Sequence, residues 1–339
     1  MIARRLKYTF TVMHEISEQS MENCIFVVND EPYCLWEENL TAKTREFLAG
    51  LDPRYFDYCL SVHSASEDVK RASLALRQSL QHALETLFSL LGAFVQAPTC
   101  PYAWLAKCSN KELRVFVQRV SDEDSSLLRS KVLIPKVSWE AIGEIICANF
   151  TNNPATPSDT GAQFGKLWSH LAHEFVQDDV VEEYNAIKHG LRVTNGGFGL
   201  AIGRQAQQGE RAPAHAMKTI ASSQFGTSFL RIEAIGKDRK NRSLRSKRIS
   251  KNWSPDQVSL LLNLTYMSIQ NVVSGLKGLN GVPPDQCQYL RPTDVSEYHL
   301  PWKQASGATL TVVDFVVDET NSSPCTKEEL LDVLRAADK

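Results

Sequence analysis

The sequence predicts an α+β fold that is mainly α, a helical bundle with an inserted antiparallel β-hairpin sheet, and three stretches carry that expectation. From Asp68 to Val95 the apolar residues Ala72, Ala75, Leu76, Leu80, Ala83, Leu84, Leu87, Phe88 and Leu91 recur at three- and four-residue steps, the period of a helix with one wide apolar stripe. From Ser254 to about Gly278 the chain is broadly apolar through Val258, Leu261, Leu262, Leu264, Met267, Ile269, Val272 and Val273, which places a second long helix at the centre. Between them, residues 191–250 change to short β-prone runs separated by glycine-rich and polar turns.

The elements follow in order. Cys24–Val28 and Tyr33–Trp36, joined by Asn29-Asp-Glu-Pro, predict a small hairpin or irregular cap, so residues 1–60 read as a cap segment and 61–339 as the helical domain with its insertion at about 191–250. Thr41–Gly50 is a short helix. The Asp68–Val95 helix stops before Gln96-Ala97-Pro98 and Cys100-Pro101. Shorter helices are expected at Lys111–Val120 and Trp139–Asn149, and Asn152–Gly161, rich in Pro, Thr and Ser, is the expected joint. Gln163–His189 is helical in its spacing, with Gln177-Asp178-Asp179 as an interruption. Leu191–Val193 and Phe198–Ile202 around Asn195-Gly196 predict one hairpin. Ser228–Ile235 and Ser243–Ile249 predict another, turning at Lys237–Asn241. Ser254-Pro255-Asp256 supplies a cap, a first-turn proline and a first-turn acid for the central helix. A last strand at Thr309–Val317 and a Thr326–Glu329 capping box complete the chain.

Composition sets bounds. At 339 residues and 43% apolar content the chain can bury a large core. Nothing approaches the run of about 18 apolar residues that spans a bilayer, and the N-terminus lacks the apolar region of a secretory signal. The eight cysteines form no Cys-x-x-Cys, and they are expected to be reduced thiols in a cytoplasmic protein. Net charge is −2, but its distribution is uneven: Phe10–Ala42 holds no Lys or Arg, whereas Lys237–Lys251 carries eight basic residues and one acid. Lys237, Arg239, Lys240, Arg242, Arg245, Lys247, Arg248 and Lys251 raise the local potential enough to attract a phosphate polymer, and Trp253 offers a stacking face beside them. A solvated hairpin, or a dock for the acidic N-terminal segment, accounts for the same residues.

Tyr184-Asn185-Ala186-Ile187-Lys188-His189-Gly190 holds the densest chemistry. Gly190 stands where a left-handed cap belongs, and Lys188 and His189 put cations at the negative end of the helix dipole. Asn185 and His189 are four apart and share a face that Glu182 extends; Tyr184 and Lys188 pair one residue around. A group titrating near neutrality beside an amide and an ammonium is what phosphodiester chemistry needs. The same side chains can instead satisfy the open carbonyls of the helix end.

This segment resembles the motif helix of the HEPN superfamily, small helical domains found in many RNA-cleaving toxins and antiviral effectors. Their active form carries an Arg with a polar residue after it and a His a few residues on. Here His189 matches the His, Asn185 the polar residue, and Tyr184 stands in place of the Arg. The resemblance implies a bundle in which an early helix packs on the motif helix and adds a polar residue, for which His82 and Glu85 on the 68–95 helix are the candidates. It implies a metal-independent, cofactor-free ribonuclease, completed across a homodimer. His189 would be the general acid or base, Asn185 would orient RNA, and Lys188 would neutralise phosphate in place of the Arg. Tyr184 at the Arg position favours the alternative, a non-catalytic module binding nucleic acid or a protein partner. His170-Leu-Ala-His173-Glu174 lacks the spacing and the third ligand of a metal site.

Overall fold

The computed structural model describes residues 22–131, 133–151, 158–190, 192–204, 207, 212–235, 243–293, 310–313 and 326–337. The fold is α+β and mainly α. The chain divides into two compact units, Met1–Val181 with Pro255–Ala305, and Glu182–Ser254 with Ser306–Lys339. The boundary read near residue 60 falls inside a helix, Arg54–Ser64. The division runs instead between Val181 and Glu182 and again after Ser254, because the central helix returns the chain to the first unit.

The first unit opens with strands β1 (Glu22–Val28) and β2 (Glu31–Glu37), paired antiparallel from Glu22 opposite Glu37 to Val28 opposite Glu31. Asn29 makes the turn in the left-handed region, with φ 54°. Helices α1 (Leu40–Gly50), α2 (Arg54–Ser64) and α3 (Val69–Gln96) follow. The Asp68 side chain caps α3 by accepting from Arg71 N at 3.0 Å. At the other end of α3, Gln96 Oε1 accepts from Asn29 N and Gln96 Nε2 donates to Asn29 O, each at 3.0 Å, so the buried hairpin turn is held as a strand neighbour would hold it. Next come α4 (Pro101–Lys107), α5 (Asn110–Ser121, with a Ser109–Glu112 capping box), α6 (Trp139–Ile146), α7 (Ala148–Thr151) and α8 (Thr160–Phe175). The helix expected over Trp139–Asn149 is thus two, broken at Cys147.

The expected apolar stripe of α3 is buried except at Ala75, which is half-buried, and its most extensive helical partner is α10 (Pro255–Leu279), the expected central helix. α10 carries polar residues inward as well. Asn271 Nδ2 donates to Leu290 O at 2.8 Å, and Asn271 Oδ1 accepts from Leu290 N at 2.7 Å, which fastens the chain after α10 back along it.

Cys24 of β1 and Cys100, just before α4, are disulfide-bonded across 76 residues, which corrects the expectation of eight reduced thiols. Hairpin packing buries both sulfurs, so the fold rather than sequence spacing brings them together. A link closing so long a loop restricts the unfolded chain. Reductant should therefore lower the thermal midpoint of the wild type and leave Cys24→Ser unchanged. Two free thiols on an unreduced sample by mass spectrometry would show that the link does not form.

The second unit takes up helix α9 (Asp178–Lys188) from Glu182 onward. The expected interruption at Gln177 is real: α8 ends at Phe175 and α9 starts at Asp178. Strands β3 (Val193–Asn195), β6 (Gly226–Ile235), β7 (Ser243–Asn252) and β8 (Leu310–Val313) form an antiparallel sheet in the order β3-β6-β7-β8. The 228–249 hairpin is as expected. The Asn195-Gly196 hairpin is not: β3 pairs with β6, while β4 (Gly199–Gly203) pairs with β5 (Met217–Ser222). Asn252 explains this, because its side chain bonds both N and O of Phe198 at 2.9 and 3.0 Å and draws the chain away from β3. Helix α11 (Lys327–Ala337) closes the unit with the expected capping box, Thr326 N to Glu329 Oε2 at 2.8 Å. Among the described residues no helix is long and apolar enough to cross a membrane.

Candidate functional site

The five residues expected to act together are divided between the units. His82 and Glu85 lie on α3 in the first, while Asn185, Lys188 and His189 end α9 in the second. His82 is exposed and meets the rings of Tyr55 and Phe56 edge-on, at 6.1 and 5.3 Å between centroids. That is the environment of a surface imidazole packed on its own bundle.

The end of α9 is built from packing outward. Ala186 is buried against Phe229 of β6 and Ile249 of β7, with Val193 of β3 beside them. One residue in three or four therefore faces the sheet, and Glu183 does so with a carboxylate that is 0% exposed. Its Oε1 accepts from Thr227 Oγ1 at 2.7 Å, and its Oε2 lies 4.0 Å from Lys251 Nζ, itself nearly buried. Glu182, next along, reaches Arg231 Nε at 3.1 Å. The exposed end carries the motif. Lys188 Nζ lies over the Tyr184 ring at 5.3 Å, the four-residue pair that the sequence placed on one face. His189 is exposed, and its backbone N donates to Asn185 O at 2.9 Å. Gly190, at φ 96°, turns the chain so that Arg192 N donates to Ala186 O at 2.7 Å and the Arg192 guanidinium reaches Asn185 O at 3.4 Å. Arg192 was not read from the sequence as a site residue. The signal was available: a cation two residues after a left-handed glycine comes back onto the helix end.

The basic run sorts by strand alternation. Lys237, Arg239, Lys240 and Arg242 lie outside the described residues. Of the rest, Lys247 Nζ and Arg245 Nη2 reach Glu233 Oε2 at 3.0 and 3.4 Å, on the α9 side of the sheet, and Lys251 lies beside Glu183. The Lys247 ammonium, ahead of Arg245 and Arg231, holds the Glu233 carboxyl below the usual carboxylate range. Arg248 alone among these four is exposed. The described half of the run is therefore largely a neutralised cluster on one face rather than an open cationic one.

The opposite face of the same two strands is apolar and open. Leu230, Ile232 and Leu244 are 61%, 59% and 71% exposed, with Leu230 paired to Arg248, Ile232 to Ser246 and Ala234 to Leu244. No group of three or more His, Cys, Asp or Glu residues able to hold a metal occurs among the described residues, and His170 instead lies 3.5 Å from Glu174. No family model, no curated protein and no solved structure matches the chain.

Proposed function

We propose that the protein is a non-catalytic interaction module, in which the HEPN-like helix end serves the architecture of the second unit and the sheet of that unit binds a protein partner. The observation that carries this reading is the open face of Leu230, Ile232 and Leu244, an apolar surface of the kind that monomers seldom leave uncovered and interfaces use. Two further facts support it. The motif helix uses Glu183 and Ala186 to hold the sheet, and Tyr184, in the place of the family's Arg, carries Lys188 over its ring.

The deciding measurement is cleavage of a panel of single-stranded and hairpin RNAs by the purified chain, with His189→Ala and Lys188→Ala beside it. No His189-dependent cleavage is expected. Cleavage that is lost in His189→Ala while its melting is unchanged would overturn the reading in favour of a ribonuclease. Binding to RNA is tested in parallel. Affinity that falls steeply with salt and disappears when Arg245, Lys247 and Arg248 become Glu would make nucleic acid the partner instead.

A further inference from the structure

We propose that the partner of the open sheet face is helix α11 of a second copy of this chain, exchanged reciprocally to form a two-fold dimer. The inference rests on the interaction-module reading and names the occupant. Among the described residues of the second unit, one buried apolar cluster joins Ala186, Phe229 and Ile249, with Val193 packed against it. The unit's surface, by contrast, carries Leu230, Ile232 and Leu244 on the sheet. An open apolar face of this kind is what a partner covers.

The chain itself holds the complementary piece. Every residue from Lys327 to Ala337 of α11 is exposed, and none is buried. Leu330, Val333 and Leu334 are 51%, 66% and 63% exposed and, with Ala337, fall at the i, i+3, i+4, i+7 positions of one apolar stripe. A helix with such a stripe left exposed is incomplete, and a flat apolar sheet face is what it packs on. Charge agrees. α11 carries Glu328, Glu329 and Asp332 against Lys327 and Arg335, whereas the described residues of that sheet face include the exposed Arg248 and no acid.

Exchange between copies fits the single chain better than closure within one, because every residue of α11 is exposed there. The twelve residues between Val313 and Thr326 can extend to roughly 40 Å, enough to hand a helix to a neighbour. One helix-on-sheet contact is small beside the roughly 1,600 Å² of a stable interface; two-fold exchange supplies it twice.

The test is the mass of the full chain in solution by light scattering after size exclusion. The wild type should have the mass of two chains. Ile232→Glu and Leu334→Glu, both at exposed positions, should each have the mass of one, with unchanged circular dichroism. Mixing the two variants should restore a weaker dimer, because the intact helix of one still fits the intact sheet of the other. A general loss of stability would not produce that rescue. A wild type that stays a single chain at all concentrations, or a dimer that persists in both variants, overturns the exchange. Either result leaves the interaction-module reading standing, since that reading falls only to His189-dependent cleavage or to salt-sensitive nucleic-acid binding.

Discussion

Gly165→Leu should destabilise the first unit by at least ~3 kcal/mol and leave little folded protein on warming. Gly165 lies in α8 where that helix crosses α6 with backbone against backbone. A Cβ added there would stand 2.6 Å from Trp139 O and 2.8 Å from Glu140 N, and closer still to Glu140 Cα. All three are backbone, so no side chain can swing aside and the helices must part. Gly161, one turn earlier, makes the same approach: its added Cβ would sit 2.7 Å from Glu144 Cα. Parting them would also loosen Trp168 and Phe164, which are fully buried on the same helix. Even Gly165→Ala should cost about 2 kcal/mol, because its methyl already overlaps that backbone. Gly50→Ala is the control, since nothing lies within 4 Å of its added Cβ. Urea unfolding of the three variants checks this; a Gly165→Leu midpoint equal to that of Gly50→Ala would refute the close crossing.

Much of the fold could be read from periodicity, and the reason is visible in α3 and α10. Their stripes are long, and each residue at helical spacing from Ala72 to Leu91 has one side to bury, so the local pattern and the tertiary outcome agree. The Thr326–Glu329 box was legible for a similar reason, being settled within four residues. Periodicity failed where a distant side chain decides. Asn195-Gly196 has the dipeptide of a tight hairpin, yet Asn252, far along the chain, takes the backbone of Phe198 and sends β4 to β5. The Cys24–Cys100 link is likewise invisible at 76 residues' separation.

The site was legible in part. The Tyr184–Lys188 pair and the glycine stop were right, being local to α9. What sequence could not place was the direction of each charge. In Arg245, Lys247 and Arg248 a run of cations reads as one patch, but strand alternation sends the first two toward Glu233 and the third to the other face. Glu183 was passed over because a glutamate beside Glu182 on a helix looks solvated, and only the sheet above it makes it the buried member of the pair.

Glu183→Ala should cost about 3–5 kcal/mol in the second unit. The carboxylate is 0% exposed and takes the Thr227 hydroxyl at 2.7 Å, with the Lys251 ammonium 4.0 Å away. Taking an ammonium out of water is costly by itself, and the facing carboxylate helps offset that cost. Removing it takes one facing carboxylate from Lys251, a residue only 6% exposed, and an acceptor from Thr227. Glu183→Gln should be milder, because its amide oxygen still accepts from Thr227 while the charge is lost. The informative variant is the double one. Glu183→Ala with Lys251→Met removes the facing ammonium as well and should recover part of the single variant's loss, since a buried ion pair adds little net stability over apolar residues of similar volume. Denaturant unfolding followed by hydrogen exchange at β6 and β7 assigns the change to this unit. A single variant within about 1 kcal/mol of wild type, the scale of an ordinary substitution, would mean that water reaches Lys251 and that the motif helix does not hold the sheet through this pair.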